Sequence, residues 1–323
     1  MTRTTRHSLR RIAGPMLALA TVATGALGLA LPQAAGASPA IHANASVSAP
    51  SFSFRTLDDH KDKTFNQLLS INDNGTIAGY FGIGTPATTH PNKGYLIHGP
   101  YGQGNYTNEN FPGSQQTQVT GINLSGTTCG FYADPAGDNF GFVLKNGVWT
   151  VVIDPHTTGT TNQLLGLNNN GIAVGFYTDS KGHAHGYEFS FHTDAFSPVN
   201  IPGATSVTAT GINQAGDVSG FYMNAKGSTV AFLRKGHKVI SFSGPGSTNT
   251  MALGVNNSDE VVGTYAGTGT IMHGFIWSGG KLRTLDDPNG IGTTTINGLN
   301  DKGDIVGFYS VGSIVHGFLG VPS

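Results

Sequence analysis

Leu299-Asn300-Asp301-Lys302-Gly303-Asp304-Ile305-Val306-Gly307-Phe308-Tyr309 is the last of six near-copies of one phrase. The others run from Ile71-Asn72 to Gly79-Tyr80-Phe81, Ile122-Asn123 to Gly130-Phe131-Tyr132, Leu167-Asn168 to Gly175-Phe176-Tyr177, Ile212-Asn213 to Gly220-Phe221-Tyr222, and Val255-Asn256 to Gly263-Thr264-Tyr265. Their starts lie 51, 45, 45, 43 and 44 residues apart, a spacing found in propeller blades and other repeat units. Read as a strand, Ile305 to Tyr309 turns Ile, Gly and Tyr to one face and Val and Phe to the other. Both faces are apolar, so both must be covered.

Each copy holds four candidate strands. Gly141 to Lys145 reverses through Asn146-Gly147 into Val148 to Ile153, and His273 to Trp277 reverses through Ser278-Gly279-Gly280 into Lys281 to Leu285, which makes neighbours of the third and fourth strands. After the fourth strand comes a proline in five copies, Pro112, Pro155, Pro202, Pro245 and Pro288, where the chain leaves one sheet for the next. Sheets packed between similar sheets in a ring satisfy two apolar faces. The expected fold is therefore all-β, a six-bladed β-propeller of four-stranded blades. The ends support closure: Phe52 to Asp59 is a fourth strand with no blade before it, and His316-Gly317-Phe318-Leu319-Gly320 a third strand with none after it. Arg55 to Asp59 repeats Arg283 to Asp287 letter for letter, so the N-terminal strand is expected to complete the last blade and remove an open edge. An open β-solenoid is the alternative, and it leaves both half-units unpaired.

The phrases resemble the bacterial repeats described as "probable extracellular repeat, HAF family", whose units carry Ile-Asn-x-x-Gly-x-Ile-Val-Gly-Tyr and a later His-Gly-Phe. The likeness spans residues 52 to 320; the second phrase is matched at His185-Gly186-Tyr187, His273-Gly274-Phe275 and His316-Gly317-Phe318, whereas Lys93-Gly94-Tyr95, Phe140-Gly141-Phe142 and Val230-Ala231-Phe232 depart from it. The resemblance implies an exported repeat protein and carries no particular activity with it.

Residues 1–37 read as a signal peptide: Arg3, Arg6, Arg10 and Arg11 precede an apolar run from Met16 to Leu31, and Ala35-Gly36-Ala37 suits cleavage. Arg10-Arg11 leaves the general and twin-arginine export routes both open. Residues 38–51 read as a flexible leader and 52–323 as a single propeller domain, secreted and extracellular in a bacterium. Beyond the leader no apolar stretch is long enough for a membrane span. Net charge is −1 and 11% of residues are charged, against roughly 25% in ordinary domains, which argues against a nucleic-acid partner. The single cysteine, Cys129, excludes an internal disulfide and shares its register with Ala78, Val174, Ser219, Val262 and Val306, a core position rather than a nucleophile's.

In a ring of this kind the segments before each Ile-Asn phrase, including Asn66, Gln67, Gln118, Asn162, Gln163 and Thr250, are expected to line the axis with amides and hydroxyls. One face gathers the crossings between blades with the loops joining second and third strands; the other gathers the Asn-x-x-Gly turns. Asp58, Asp59, Asp154, Asp179, Asp286 and Asp287 fall on the crossing face together with His60, His156, His183 and His185. Asp154, His156, His60 and His183 are the candidates for acid–base chemistry. Asp58, Asp59, Asp179, His185, Asp286 and Asp287 are candidate ligand-binding residues. Asp58, Asp154 and Asp286 are candidates for Ca²⁺, the one cofactor such oxygens suggest. The repeated His185, His273 and His316 are expected to fix a loop by bonding to backbone, and Tyr132, Tyr177, Tyr222, Tyr265 and Tyr309, which end five of the phrases, to pack in the blades with a hydroxyl partner. No nucleophile elbow, phosphate loop or zinc-protease phrase occurs. The leading expectation is a binding or interaction module for an extracellular glycan, small molecule or protein; the alternative is a propeller hydrolase or lyase acting on an extracellular polymer.

Overall fold

The computed structural model describes residues 51–84, 90–269 and 271–323. The expected signal peptide and, Ser51 apart, the expected leader lie outside the described residues. Five four-stranded antiparallel sheets hold their strands in sequence order, a sixth takes its outer strand from the N-terminal end of the described residues, and the six make a six-bladed β-propeller. In the third blade the strands are Asn162–Leu167, Ile172–Thr178, Ala184–Ser190 and Ala195–Pro198, from the axis outward. In the sixth, Thr295–Leu299, Ile305–Val311 and Ile314–Pro322 are completed by Phe52–Thr56. Phe52 stands opposite Pro322 and Thr56 opposite Phe318, so the ends of the chain close the ring as expected. Ser323 N–H donating to the Ser51 carbonyl at 2.9 Å extends that pairing.

The phrase glycine has a steric cause. In all six blades the first strand carries a bulge, as between Leu68 and Ser70 or Ile296 and Gly298. A Cβ on Gly175 would lie 1.9 Å from the Gln163 carbonyl oxygen, and one on Gly307 would lie 2.0 Å from that of Thr295. Beside these glycines pack the third-strand aromatics Tyr95, Phe142, Tyr187, Phe232, Phe275 and Phe318, all fully buried. Burying each contributes on the order of 2 kcal/mol. Cys129 is buried at the blade-two position between such layers, where burial pushes its thiol up to about 12.

The phrase asparagine has a different cause. Asn72, Asn123, Asn168, Asn213, Asn256 and Asn300 each donate the side-chain amide to the backbone carbonyl of the next asparagine in the ring, at 2.9 to 3.3 Å. Each side-chain oxygen meanwhile accepts two backbone N–H groups of its own turn, as Asn168 does from Asn170 at 3.0 Å and Ile172 at 3.1 Å. All six side chains are nearly sealed from solvent. They form a closed belt around the axis that ties every blade to its neighbour. Inside it lies an axial cavity of about 110 Å³, lined by the inner strands of all six blades.

Three of the residues expected along the axis, Asn66, Asn162 and Thr250 at the other end of these strands, serve the crossings instead. Asn66 Oδ1 accepts Asp59 N–H at 2.9 Å, Asn162 Oδ1 accepts Asp154 N–H at 2.9 Å, and Thr250 Oγ1 accepts Gly244 N–H at 3.0 Å. A side chain on the first residue of an inner strand thus fixes the turn that delivers the chain into that blade. The crossings are held rigidly, and with them the side chains of the crossing face.

Candidate functional site

Two of the three His-Gly phrases make the same lock. His316 Nδ1 pairs with Asp58 Oδ2 at 2.7 Å while Asp58 Oδ1 accepts Gly317 N–H at 2.9 Å. His273 Nδ1 pairs with Asp286 Oδ2 at 2.8 Å while Asp286 Oδ1 accepts Gly274 N–H at 3.0 Å. The partner is a carboxylate at the end of the fourth strand, where backbone was expected. In the same blades the phrase tyrosine donates to or accepts from a fourth-strand hydroxyl: Tyr309 with Thr56 Oγ1 at 2.9 Å, Tyr265 with Thr284 Oγ1 at 2.7 Å. Asp58 and Asp286 thereby use both carboxylate oxygens inside their own blades.

Blade three breaks this lock at each partner. Pro198, opposite Tyr187, stands where Thr56 and Thr284 stand opposite Phe318 and Phe275. Asn200 takes the place of Asp58 and Asp286; it is exposed and makes no hydrogen bond among the described residues. His185 turns instead to Asp179 Oδ2 at 3.2 Å, and its side chain is 45% exposed against 25% for His273 and 24% for His316. Tyr177 is left without a hydroxyl partner among the described residues. Burial, followed by the carboxylates Asp154 and Asp179, raises the Tyr177 phenol above its ordinary value, which places both charges within reach of this ring.

The released groups converge on one pocket of about 410 Å³ on the crossing face, between blade three and the start of blade four. The rings of His156, Tyr177 and His185 form a ladder, 6.4 Å between the first two at 26° and 5.0 Å between the second two at 20°. Tyr187, Phe196 and Val207 supply apolar wall, and Asn200, Thr205 and Ser206 a polar margin. Asp154 Oδ1 accepts His156 N–H at 2.8 Å and pairs with His156 Nδ1 at 2.9 Å. Asp179 Oδ1 accepts N–H groups of Lys181 and His183, and Oδ2 pairs with the rings of His183 and His185. Burial works against its ionisation, but these four contacts outweigh it and hold the Asp179 carboxyl well below the usual carboxylate range. An apolar ring face beside fixed acceptors and imidazoles suits a small ligand with one apolar and one polar side.

Of the sequence candidates, Asp154, His156 and His185 line this pocket, and Asp179 with His183 stands beside it through the contact of Asp179 with His185. The others lie elsewhere. His60 leans on Gln103 Oε1 at 2.6 Å in blade one. Asp59 and Asp287 are fully buried in their crossings, each accepting one turn N–H through Oδ1 and no hydrogen bond through Oδ2; Lys61 Nζ stands 3.7 Å from Asp59 Oδ2. Asp58, Asp154 and Asp286 belong to three different crossings, and among the described residues no three His, Cys, Asp or Glu side chains are grouped to hold a metal ion. Tyr177, Pro198 and Asn200 were missed by sequence reasoning. The signal was present in the columns, where Pro198 replaces Thr56 and Thr284, and Asn200 replaces Asp58 and Asp286.

No protein-family model matches the chain, and no curated protein matches it in sequence. Solved structures match it as a fold. A lectin of Aleuria aurantia, as an N224Q mutant in complex with α-methyl-L-fucoside, aligns with TM-score 0.50 at 12% identity over 80% of this chain and 93% of that one. TolB from Acinetobacter baumannii aligns with TM-score 0.49 at 10% identity, over 82% of this chain and 65% of that one. XC5397 from Xanthomonas campestris, described as a gluconolactonase, aligns with TM-score 0.49 at 11% identity, over 84% and 89%. At such identities the likeness is one of fold, and the chain is similar to these proteins as a β-propeller.

Proposed function

We propose that the protein is a secreted propeller binding module whose blade-three pocket takes a sugar unit of an extracellular glycan or a small molecule of like shape. One observation carries the reading: of the three His-Gly blades, only this one releases its tyrosine and histidine from the intrablade lock, and both line the same pocket. A sugar ring lies with its C–H face on an aromatic ring while its hydroxyls reach carboxylates, amides and imidazoles. Tyr177, Asp154, Asn200 and His185 supply that set on a rigid frame. Secretion rests on the leader and on the resemblance of the repeats.

A hydrolase is the second reading, favoured by the His156–Asp154 pair at 2.9 Å, a carboxylate-oriented imidazole able to accept a proton. A lyase acting on uronates is disfavoured, because no Lys or Arg lines the pocket to neutralise the substrate carboxylate.

Thermal unfolding against a panel of mono- and disaccharides tests the proposal, since a ligand at a hundredfold excess over its Kd stabilises by about 2.7 kcal/mol. A sugar-dependent rise in Tm that Tyr177→Ala abolishes supports the site. A rise untouched by Tyr177→Ala places binding elsewhere, and product formation lost in His156→Ala transfers the conclusion to the hydrolase.

A further inference from the structure

Among the residues lining the blade-three pocket there is no Lys or Arg and one carboxylate, Asp154; a second, Asp179, stands just outside the lining, bonded to the His185 ring. Asp154 is the one that decides. Its side chain is 5% exposed; Oδ1 is taken by the backbone and ring of His156, while Oδ2 makes no hydrogen bond among the described residues. Asp59 Oδ2 and Asp287 Oδ2 are sealed in their crossings, whereas Asp154 lines the pocket with an oxygen left over that an arriving donor, above all a cationic one, can meet. Asp179 stands on the other side of the Tyr177 ring with both oxygens occupied, and its contacts keep it ionised. Lys181 gives Asp179 only its backbone N–H, and the residue is exposed outside the pocket lining. The Tyr177 ring is stacked by the imidazoles of His156 and His185, so what draws an ammonium group to this end of the pocket is the charge of the carboxylates.

Resting on the reading of this pocket as the sugar site, we infer that it selects a sugar bearing a free protonated amine, as in unsubstituted amino sugars, over neutral, N-acylated and acidic sugars. The amine sits at Asp154 Oδ2 beside the Tyr177 ring, and the hydroxyls meet the margin formed by Asn200, Thr205 and Ser206. A uronate finds no cationic partner there and meets repulsion from the carboxylates. An N-acetyl group removes the charge and adds bulk at the innermost part of the site.

Isothermal calorimetry on the mature chain with glucosamine, glucose, N-acetylglucosamine and glucuronate tests this at one pH and low salt. The expected order has glucosamine about tenfold tighter than glucose, a difference of about 1.4 kcal/mol, with N-acetylglucosamine no better than glucose and glucuronate undetected. Asp154→Asn, close to isosteric, is expected to bring glucosamine down to the affinity that glucose shows for the same variant; Asp179→Asn gives a second reading of the local negative charge should the first variant misfold. Equal affinities for glucosamine and glucose overturn the inference and leave the sugar site standing. Binding of ethanolamine with no sugar bound overturns the sugar site and upholds the charge selection. Absence of binding by all five compounds overturns both.

Discussion

The side-chain amide of Asn300 donates to the backbone oxygen of Asn72 across 3.3 Å of space and 228 residues of chain. It is the last link of the asparagine belt, and it meets the first. The second closure of the ring is the Phe52–Thr56 strand added to the sixth blade. One closure ties the axis and the other the outer edge, so no blade is left with an open neighbour.

Asn300→Ala removes that interblade bond and the two turn bonds accepted from Lys302 and Asp304 N–H. Donors left without partners at a nearly sealed site make the loss larger than that of a surface hydrogen bond. The expected cost is about 2 to 3 kcal/mol, read from the midpoint of urea unfolding at unchanged m-value.

The histidines of the His-Gly phrases separate by role. His273→Ala strands the part-buried Asp286 carboxylate and is expected to destabilise by about 1 to 2 kcal/mol. His185, more exposed and bonded to a part-exposed loop carboxylate that keeps three other contacts, is expected to cost less than about 0.5 kcal/mol when replaced by Ala. Denaturant titration of the two variants side by side measures the contrast.

Restoring the repeat at one position is expected to close the site. Pro198→Thr supplies blade three with the hydroxyl that Thr56 and Thr284 supply to Tyr309 and Tyr265, and Tyr177 is expected to turn to it. Stability is expected to hold or rise slightly, while affinity for the sugar identified by thermal shift falls about tenfold. Calorimetry on the variant reads both in one preparation.

Asp287 offers a test through pH. Burial, against a lesser pull from Asn289, raises its carboxyl above the ordinary carboxylate value, and Oδ2 has no partner. A proton is then held more tightly in the folded than in the unfolded chain, so the ionised group opposes folding at neutral pH. Asp287→Asn keeps an oxygen for Asn289 N–H and is expected to stabilise at pH 7 by on the order of 1 kcal/mol. The gain shrinks as pH falls through the raised folded value, and vanishes once the unfolded carboxyl is also protonated, near about 3.9. Urea unfolding of both proteins from pH 7 to pH 3 follows the difference.

The ring was legible because its causes repeat. Six phrases with a glycine that must lie under a carbonyl and an asparagine that must reach the next blade leave a pattern stronger than any one strand. The half-units at Phe52 and His316 carried the closure. The crossing face was legible as a place, since topology alone brings Asp154, His156, Asp179 and His185 to one side. Which of its groups are free was not legible from residue types. Asp58 and Asp154 are both aspartates of a crossing, yet Asp58 fills its valences on His316 and Gly317 while Asp154 keeps an oxygen unbonded. The tyrosines ending the phrases look alike, and the residue that separates Tyr177 from Tyr265 and Tyr309 is a proline on another strand.

Carbon-proton NMR of the imidazoles, followed while glucosamine is added, tests the central claim most directly. The account predicts that the signals of His156, His183 and His185 move together along one binding curve, while those of His273 and His316, locked in blades five and six, stay in place. Movement of His273 or His316 with the blade-three histidines unchanged would contradict it.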